Sequence, residues 1–113
     1  MIKISSYKFK IIEANSRYSY YLFPSNSNTQ EIGKSYNSYS THKECLEALV
    51  SCRQLILSNK YEVAIDCVDN RYVPILNDGN RNTIFYRILP YNDIKNANLW
   101  ESLIVNNIDA DLK

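Results

Sequence analysis

The sequence predicts an α+β protein made of two tandem β-β-β-α repeats, each an antiparallel three-stranded sheet plus a helix, packed with approximate two-fold symmetry. Three observations carry this. Apolar residues alternate with period two over residues 7–13 and again over 61–67. Helical spacing takes over after Tyr39 and again after Tyr91. Matching residues recur at a fixed separation: Tyr7 and Tyr61, Ile11 and Ile65, Arg17 and Arg71, Tyr18 and Tyr72, and Leu22 and Leu76 all lie 54 apart. The repeats divide at 1–59 and 60–113. Neither piece is large enough to bury a sheet alone, so the two form one compact unit.

The elements follow in order. Tyr7, Phe9 and Ile11 alternate with Lys8 and Lys10, the pattern of a half-buried strand. Asn15-Ser16 turns the chain into a second strand, with Tyr18, Tyr20 and Leu22 on one face. Pro24–Asn28 is a loop by composition, and a third strand around Thr29–Ser35 rests on little more than Ile32. Ser40 or Thr41 then caps a helix, and Thr41 with Glu44 fits a capping box. Cys45, Ala48, Leu49, Cys52, Leu55 and Ile56 form its sheet-facing stripe. Leu46, Val50 and Leu57 form a flanking apolar row, so this helix is expected to pack against its own sheet and a neighbour.

The second half restarts with a strand over Tyr61–Cys67, a turn at Asp69-Asn70 and a strand over Arg71–Leu76. Pro74 lacks a ladder N–H, which places that strand at an edge or turns Pro74 outward. Asn77–Asn80 is a turn, Thr83–Leu89 a strand, and Asp93 starts a helix that runs to about Asn107. Before the two helices Tyr39 pairs with Tyr91 and Lys43 with Lys95 at a separation of 52; inside them 54 pairs Leu46 with Trp100 and Val50 with Ile104.

Composition narrows function by exclusion. The formal net charge of +1 gives no field to collect nucleic acid or an anionic membrane. Gly33 and Gly79 are the only glycines, too few for a phosphate-cradling loop. No apolar run approaches a membrane span, and the N-terminal residues have no signal-peptide core. With three cysteines, an odd number, the expectation is a reducing cytoplasm. The ten tyrosines sit among many Ile, Lys and Asn residues, which fits AT-rich codons and half-buried strands better than a stacking surface.

Candidate sites are few. His42, Cys45 and Cys52 fall short of the four ligands of structural zinc, so no metal or cofactor is expected. A Cys/His nucleophile pair needs an exposed, electropositive thiol, whereas the helical stripe points Cys45 inward. No carboxylates are paired for acid–base work, and no catalytic residue is assigned. The remaining candidate is a surface of Lys34, Tyr36, Lys43, Arg87 and Lys95, where aromatic residues lie near cations. Tyr39 and Tyr91 recur at matching positions and read as structural plugs, whereas Tyr36 has no tyrosine counterpart. A non-enzymatic protein-interaction or self-association module is the expected function. A weak single-stranded nucleic-acid binder is the alternative, and a cysteine-dependent enzyme the least supported.

Tyr18-Ser19-Tyr20-Tyr21-Leu22, the Tyr39-Ser40-Thr41 turn and Cys45-Leu46-Glu47-Ala48-Leu49-Val50 resemble the YegP-like family of small bacterial proteins, built from tandem repeats of a domain of unknown function. Ala48 takes the family helix's small position. The family's Ala-x-Asn-Gly turn is replaced by Pro24–Ser27 and echoed only by Asn77-Asp78-Gly79. The resemblance implies a fold and brings no catalytic residue.

Overall fold

The computed structural model describes residues 6–113; the first five residues, part of the stretch read for a targeting signal, lie outside the described residues. The chain runs β1 (Tyr7–Ala14), β2 (Arg17–Pro24), β3 (Gly33–Ser35), α1 (His42–Leu57), β4 (Glu62–Val68), β5 (Arg71–Asn77), β6 (Thr83–Tyr86) and α2 (Ile94–Asn106). The hairpins β1–β2 and β4–β5 turn through two-residue loops with positive φ, Asn15-Ser16 (53° and 63°) and Asp69-Asn70 (51° and 62°). Asn and Asp tolerate that left-handed region, and its twist matches the flanking strands.

The strands do not form two three-stranded sheets. They make one six-stranded antiparallel sheet in the order β1-β2-β3-β6-β5-β4. The short strands β3 and β6 meet edge to edge, Lys34 opposite Tyr86 and Ser35 opposite Phe85. Two separate sheets would leave those inner edges with unpaired N–H and C=O groups; joining them satisfies both.

Pro74 corrects a second expectation. Its strand β5 is interior, between β4 and β6, and Pro74 is fully buried. The Pro74 carbonyl accepts from the Arg87 N–H at 3.3 Å, so the side of Pro74 without a donor faces the end of β6. The edge strand of this half is β4.

Both helices lie on one face of the sheet. Phe9, Tyr20, Leu22, Leu76 and Phe85 point into a single core with Cys45, Leu49, Cys52 and Ile56 of α1 and Trp100 and Ile104 of α2. Thr41 caps α1 by accepting from the Glu44 N–H at 3.1 Å, while the Glu44 carboxylate accepts from the Ser40 hydroxyl at 2.9 Å. Asp93 caps α2 by accepting from the Lys95 N–H at 2.7 Å. Among the described residues the flanking row of α1 is left exposed, at Leu46, Val50 and Leu57.

The two caps, Thr41 and Asp93, are 52 residues apart. That separation, rather than 54, pairs buried Cys45 with Ala97 and Cys52 with Ile104, half-buried Ala48 with Trp100, and Ile56 with Ile108 just past α2. Identities such as Glu47 with Glu101 follow the separation of 54, whereas the burial pattern follows 52.

Beyond α2 the chain returns to β1. Phe9 donates its N–H to Asp111 O and accepts from Lys113 N, both at 2.9 Å. Arg53 holds this tail from α1, donating from Nη2 to Ala110 O at 2.6 Å with its guanidinium 4.9 Å from the Phe9 ring centroid. Among the described residues no helix is long and apolar enough to cross a membrane.

Candidate interaction surface

Because strand side chains alternate, every second residue of the sheet faces away from the helices. Strand register assembles these residues into a continuous row. Lys10 lies opposite Tyr21, Tyr21 opposite Lys34, Lys34 opposite Tyr86, Tyr86 opposite Ile75, and Ile75 opposite Ala64. Cations and aromatic rings therefore alternate across the first four strands of the helix-free face.

The side chains of this row touch. Lys34 Nζ stands 5.5 Å from the Tyr21 ring centroid, a cation–π distance. Tyr21 stacks on Phe23 at 5.6 Å, and Phe23 is only 2% exposed. Tyr36 meets Tyr86 edge-on at 5.6 Å and remains 58% exposed. Lys8 and Lys10 converge on Asn28 Oδ1, at 2.8 and 3.2 Å, which draws the β2–β3 loop towards this face. The far side of the face carries Glu62 and Asp66 of β4 in place of lysines. The face is thus basic and aromatic at one side and acidic at the other.

The structure brings together two of the five residues expected at the surface. Lys34 and Tyr36 share the helix-free face. Lys43 and Lys95 sit in the first turns of α1 and α2, in the helix layer on the opposite side of the sheet. Arg87 is half-buried, with its guanidinium carbon 3.7 Å from the Tyr91 ring centroid. Its Nε is buried and has no hydrogen-bond partner among the described residues. Tyr39 and Tyr91 are held by their backbones. Tyr39 exchanges two hydrogen bonds with Tyr18, both 2.8 Å, and Tyr91 two with Tyr72, at 2.7 and 2.8 Å. Both rings pack against the core.

Tyr21, Phe23 and Tyr86 also belong to the face. Alternation within β2 does separate Tyr21 and Phe23 from Tyr20 and Leu22. The placement of Tyr86 beside Lys34 depends on the β3–β6 join, for which the sequence carries no local signal.

The thiols and the imidazole do not form a site. Burial pushes the Cys45 thiol up to about 11, and the Cys52 thiol likewise to about 11. Both are therefore held protonated at neutral pH, the reverse of what a nucleophile needs. His42 is exposed and meets the Tyr18 ring edge-on at 6.0 Å. Cys67 is exposed on β4, across the sheet from both. Among the described residues no three His, Cys, Asp or Glu side chains converge in a way that could hold a metal ion.

No protein-family model matches the chain. No curated protein matches it either. Two solution structures do. A UPF0339 protein from Shewanella oneidensis superposes with a TM-score of 0.74 at 14% identity, covering 96% of this chain and 91% of its own. The protein of unknown function YegP from E. coli superposes with a TM-score of 0.75 at 16% identity, covering 98% of this chain and 94% of its own. At such identities the likeness speaks for architecture alone. The six-stranded sheet with two helices on one face is the fold of these YegP and UPF0339 proteins.

Proposed function

We propose that the chain is a non-catalytic, cytoplasmic protein-interaction module, descended from an internal duplication with units at 1–59 and 60–113. The duplication reading is supported by the palindromic strand order, the 52-residue separation of the helix caps, and the matching Tyr18–Tyr39 and Tyr72–Tyr91 bridges. The interaction reading rests on one observation: the helix-free face centres on Tyr36, a large aromatic side chain left 58% exposed beside Lys34. Exposed aromatic anchors ringed by polar groups are where binding energy concentrates. The occupant that fits is a protein surface with carboxylates around an apolar centre, since Lys8, Lys10 and Lys34 line this side of the face. Affinity capture at physiological salt tests it, with the wild type and a Lys34→Ala/Tyr36→Ala variant as baits. The variant is expected to lose the acidic partner that the wild type retains; equal recovery by both baits counts against the face.

The alternation of Lys10, Tyr21, Lys34 and Tyr86 also favours a second reading, weak binding of single-stranded nucleic acid by stacking between cations. Burial of Phe23 and the carboxylates on β4 work against it. A gel shift with single-stranded oligonucleotides at low and high salt separates the readings: binding at low salt that disappears at high salt supports the second, and no binding at low salt removes it.

A further inference from the structure

We propose that the chain self-associates through β4, the outer edge of which pairs antiparallel with β4 of a second copy across a two-fold axis at Ile65. The two ends of the sheet differ. The C-terminal tail lies against β1 at Phe9, and Lys8 and Lys10 add charge to that strand. At the other end β4 runs seven residues with no proline, lysine or arginine. Among the described residues no segment pairs with its outer side. Of the devices that keep natural edges from pairing, β4 lacks proline, lysine and a covering segment and has only the carboxylates Glu62 and Asp66, which the register centred on Ile65 keeps apart.

The backbone of β4 is oriented for pairing. Pro74 accepts from Arg87, the residue after β6, so its polar groups point away from β4. Ile65, directly opposite Pro74, therefore occupies a non-hydrogen-bonded position in the β4–β5 ladder. Its N–H and C=O point outward, and by alternation so do those of Val63 and Cys67. An axis at Ile65 pairs Ile65 with itself and Val63 with Cys67 of the second copy, and uses all of these outward groups.

Charge selects the register. The axis at Ile65 overlaps the strands over their full length and sets Glu62 opposite Val68 and Asp66 opposite Ala64. Moving the axis to Ala64 sets Glu62 opposite Asp66. Moving it to Asp66 sets that carboxylate opposite its own copy. Like charges directly opposite destabilise a sheet, so both shifts are disfavoured. Pairing also extends the sheet beside Val68, a residue left 57% exposed in the single chain. The contact uses the same strand on both copies, so it is isologous and closes on itself as a dimer. This edge is independent of the Lys34 and Tyr36 face, so either proposal can fail alone.

Sedimentation equilibrium of the wild type, Ala64→Glu and Ala64→Lys tests the pairing. Ala64 is exposed on an edge strand, so both substitutions leave the core intact. The wild type is expected to show a monomer–dimer equilibrium. Ala64→Glu, placed twice against Asp66, weakens it by roughly tenfold, and Ala64→Lys tightens it. Amide exchange supplies a second readout: the Val63, Ile65 and Cys67 amides slow as concentration rises. A wild type that stays monomeric up to ~1 mM overturns the proposal. So does a dimer that both variants shift in the same direction or leave unchanged, or one in which those three amides gain no protection.

Discussion

Counted from their helix caps, residues 33–56 and residues 85–108 occupy matching places, yet they fill the centre of the molecule unequally. Ala48 of α1 answers to Trp100 of α2, and Gly33 of β3 to Phe85 of β6. In both pairs the first half has the small residue and the second the large one. The rings form a column, Tyr20 to Phe85 at 5.8 Å and Phe85 to Trp100 at 6.0 Å, and Trp100 Nε1 donates to Ile32 O at 2.8 Å. A Cβ on Gly33 would stand 2.2 Å from Phe85 Cε2. Where matching positions converge on one centre, two large side chains cannot both fit. At these two positions the second half supplies the bulk, and the first half makes room for it. The core as a whole draws on both halves, Phe9, Tyr20, Leu22 and Leu49 from one and Leu76, Phe85, Trp100 and Ile104 from the other, so neither half is complete alone.

Trp100→Ala tests this asymmetry with the largest expected effect. Trp100 is among the largest fully buried side chains, and its loss also removes the hydrogen bond to Ile32 O. Chemical denaturation should show a loss of about 3–5 kcal/mol. The matching change in the first half, Ala48→Gly, should cost only about 1 kcal/mol, the ordinary cost of glycine within a helix. Equal losses at the two positions would refute the unequal filling of this matched pair.

Gly33→Ala comes next. Phe85 cannot easily yield, because Tyr20 and Trp100 stack on it. The expected loss is about 1–3 kcal/mol from overpacking. Adding Phe85→Leu, which withdraws the ring atoms nearest Gly33, should recover part of it. A double variant whose loss is the plain sum of the two single losses would show that Gly33 does not serve the ring.

Much of this architecture is legible in the sequence. Alternation fixes β1, β2 and β4, the Thr41 and Asp93 caps fix the helix starts, and the apolar stripe of α1 identifies Cys45, Leu49, Cys52 and Ile56 as core. The join is not legible. Strand β3 is three residues long and contributes its backbone and a glycine more than apolar side chains, so no periodicity marks it as the seam of the sheet. The same gap misplaces Pro74, since an interior proline is admissible only where the neighbouring strand has already ended. It also scatters the candidate surface. Lys43 and Lys95 adjoin Tyr39 and Tyr91 in sequence, but the turn into each helix carries them to the opposite layer. Only Lys34 and Tyr36, in and just after a strand, share the helix-free face with Tyr21 and Tyr86.

A last contrast lies at the core-facing positions of the two helices. Cys45 and Cys52 of α1 match Ala97 and Ile104 of α2, so only the first half has ionisable side chains at these core positions. Burial raises both thiols to about 11, against an ordinary value of 9.0. A raised thiol favours the protonated form in the fold. Its contribution is therefore complete below pH 9, declines as the unfolded chain ionises, and is lost as pH rises through the folded value. At pH 10 each thiol should cost about 1 kcal/mol relative to pH 8. Tyr20, also raised by burial and in contact with Cys52, adds to the loss at still higher pH. Denaturation curves at pH 8 and pH 10 measure the difference for the wild type and for a Cys45→Ala/Cys52→Val variant that takes on the apolar character of α2. The variant's decline over this window should be smaller by about 2 kcal/mol, whatever its stability at pH 8. An identical decline in both proteins would mean that the two thiols do not remain protonated in the folded core, and the contrast between the helices would then be one of packing alone.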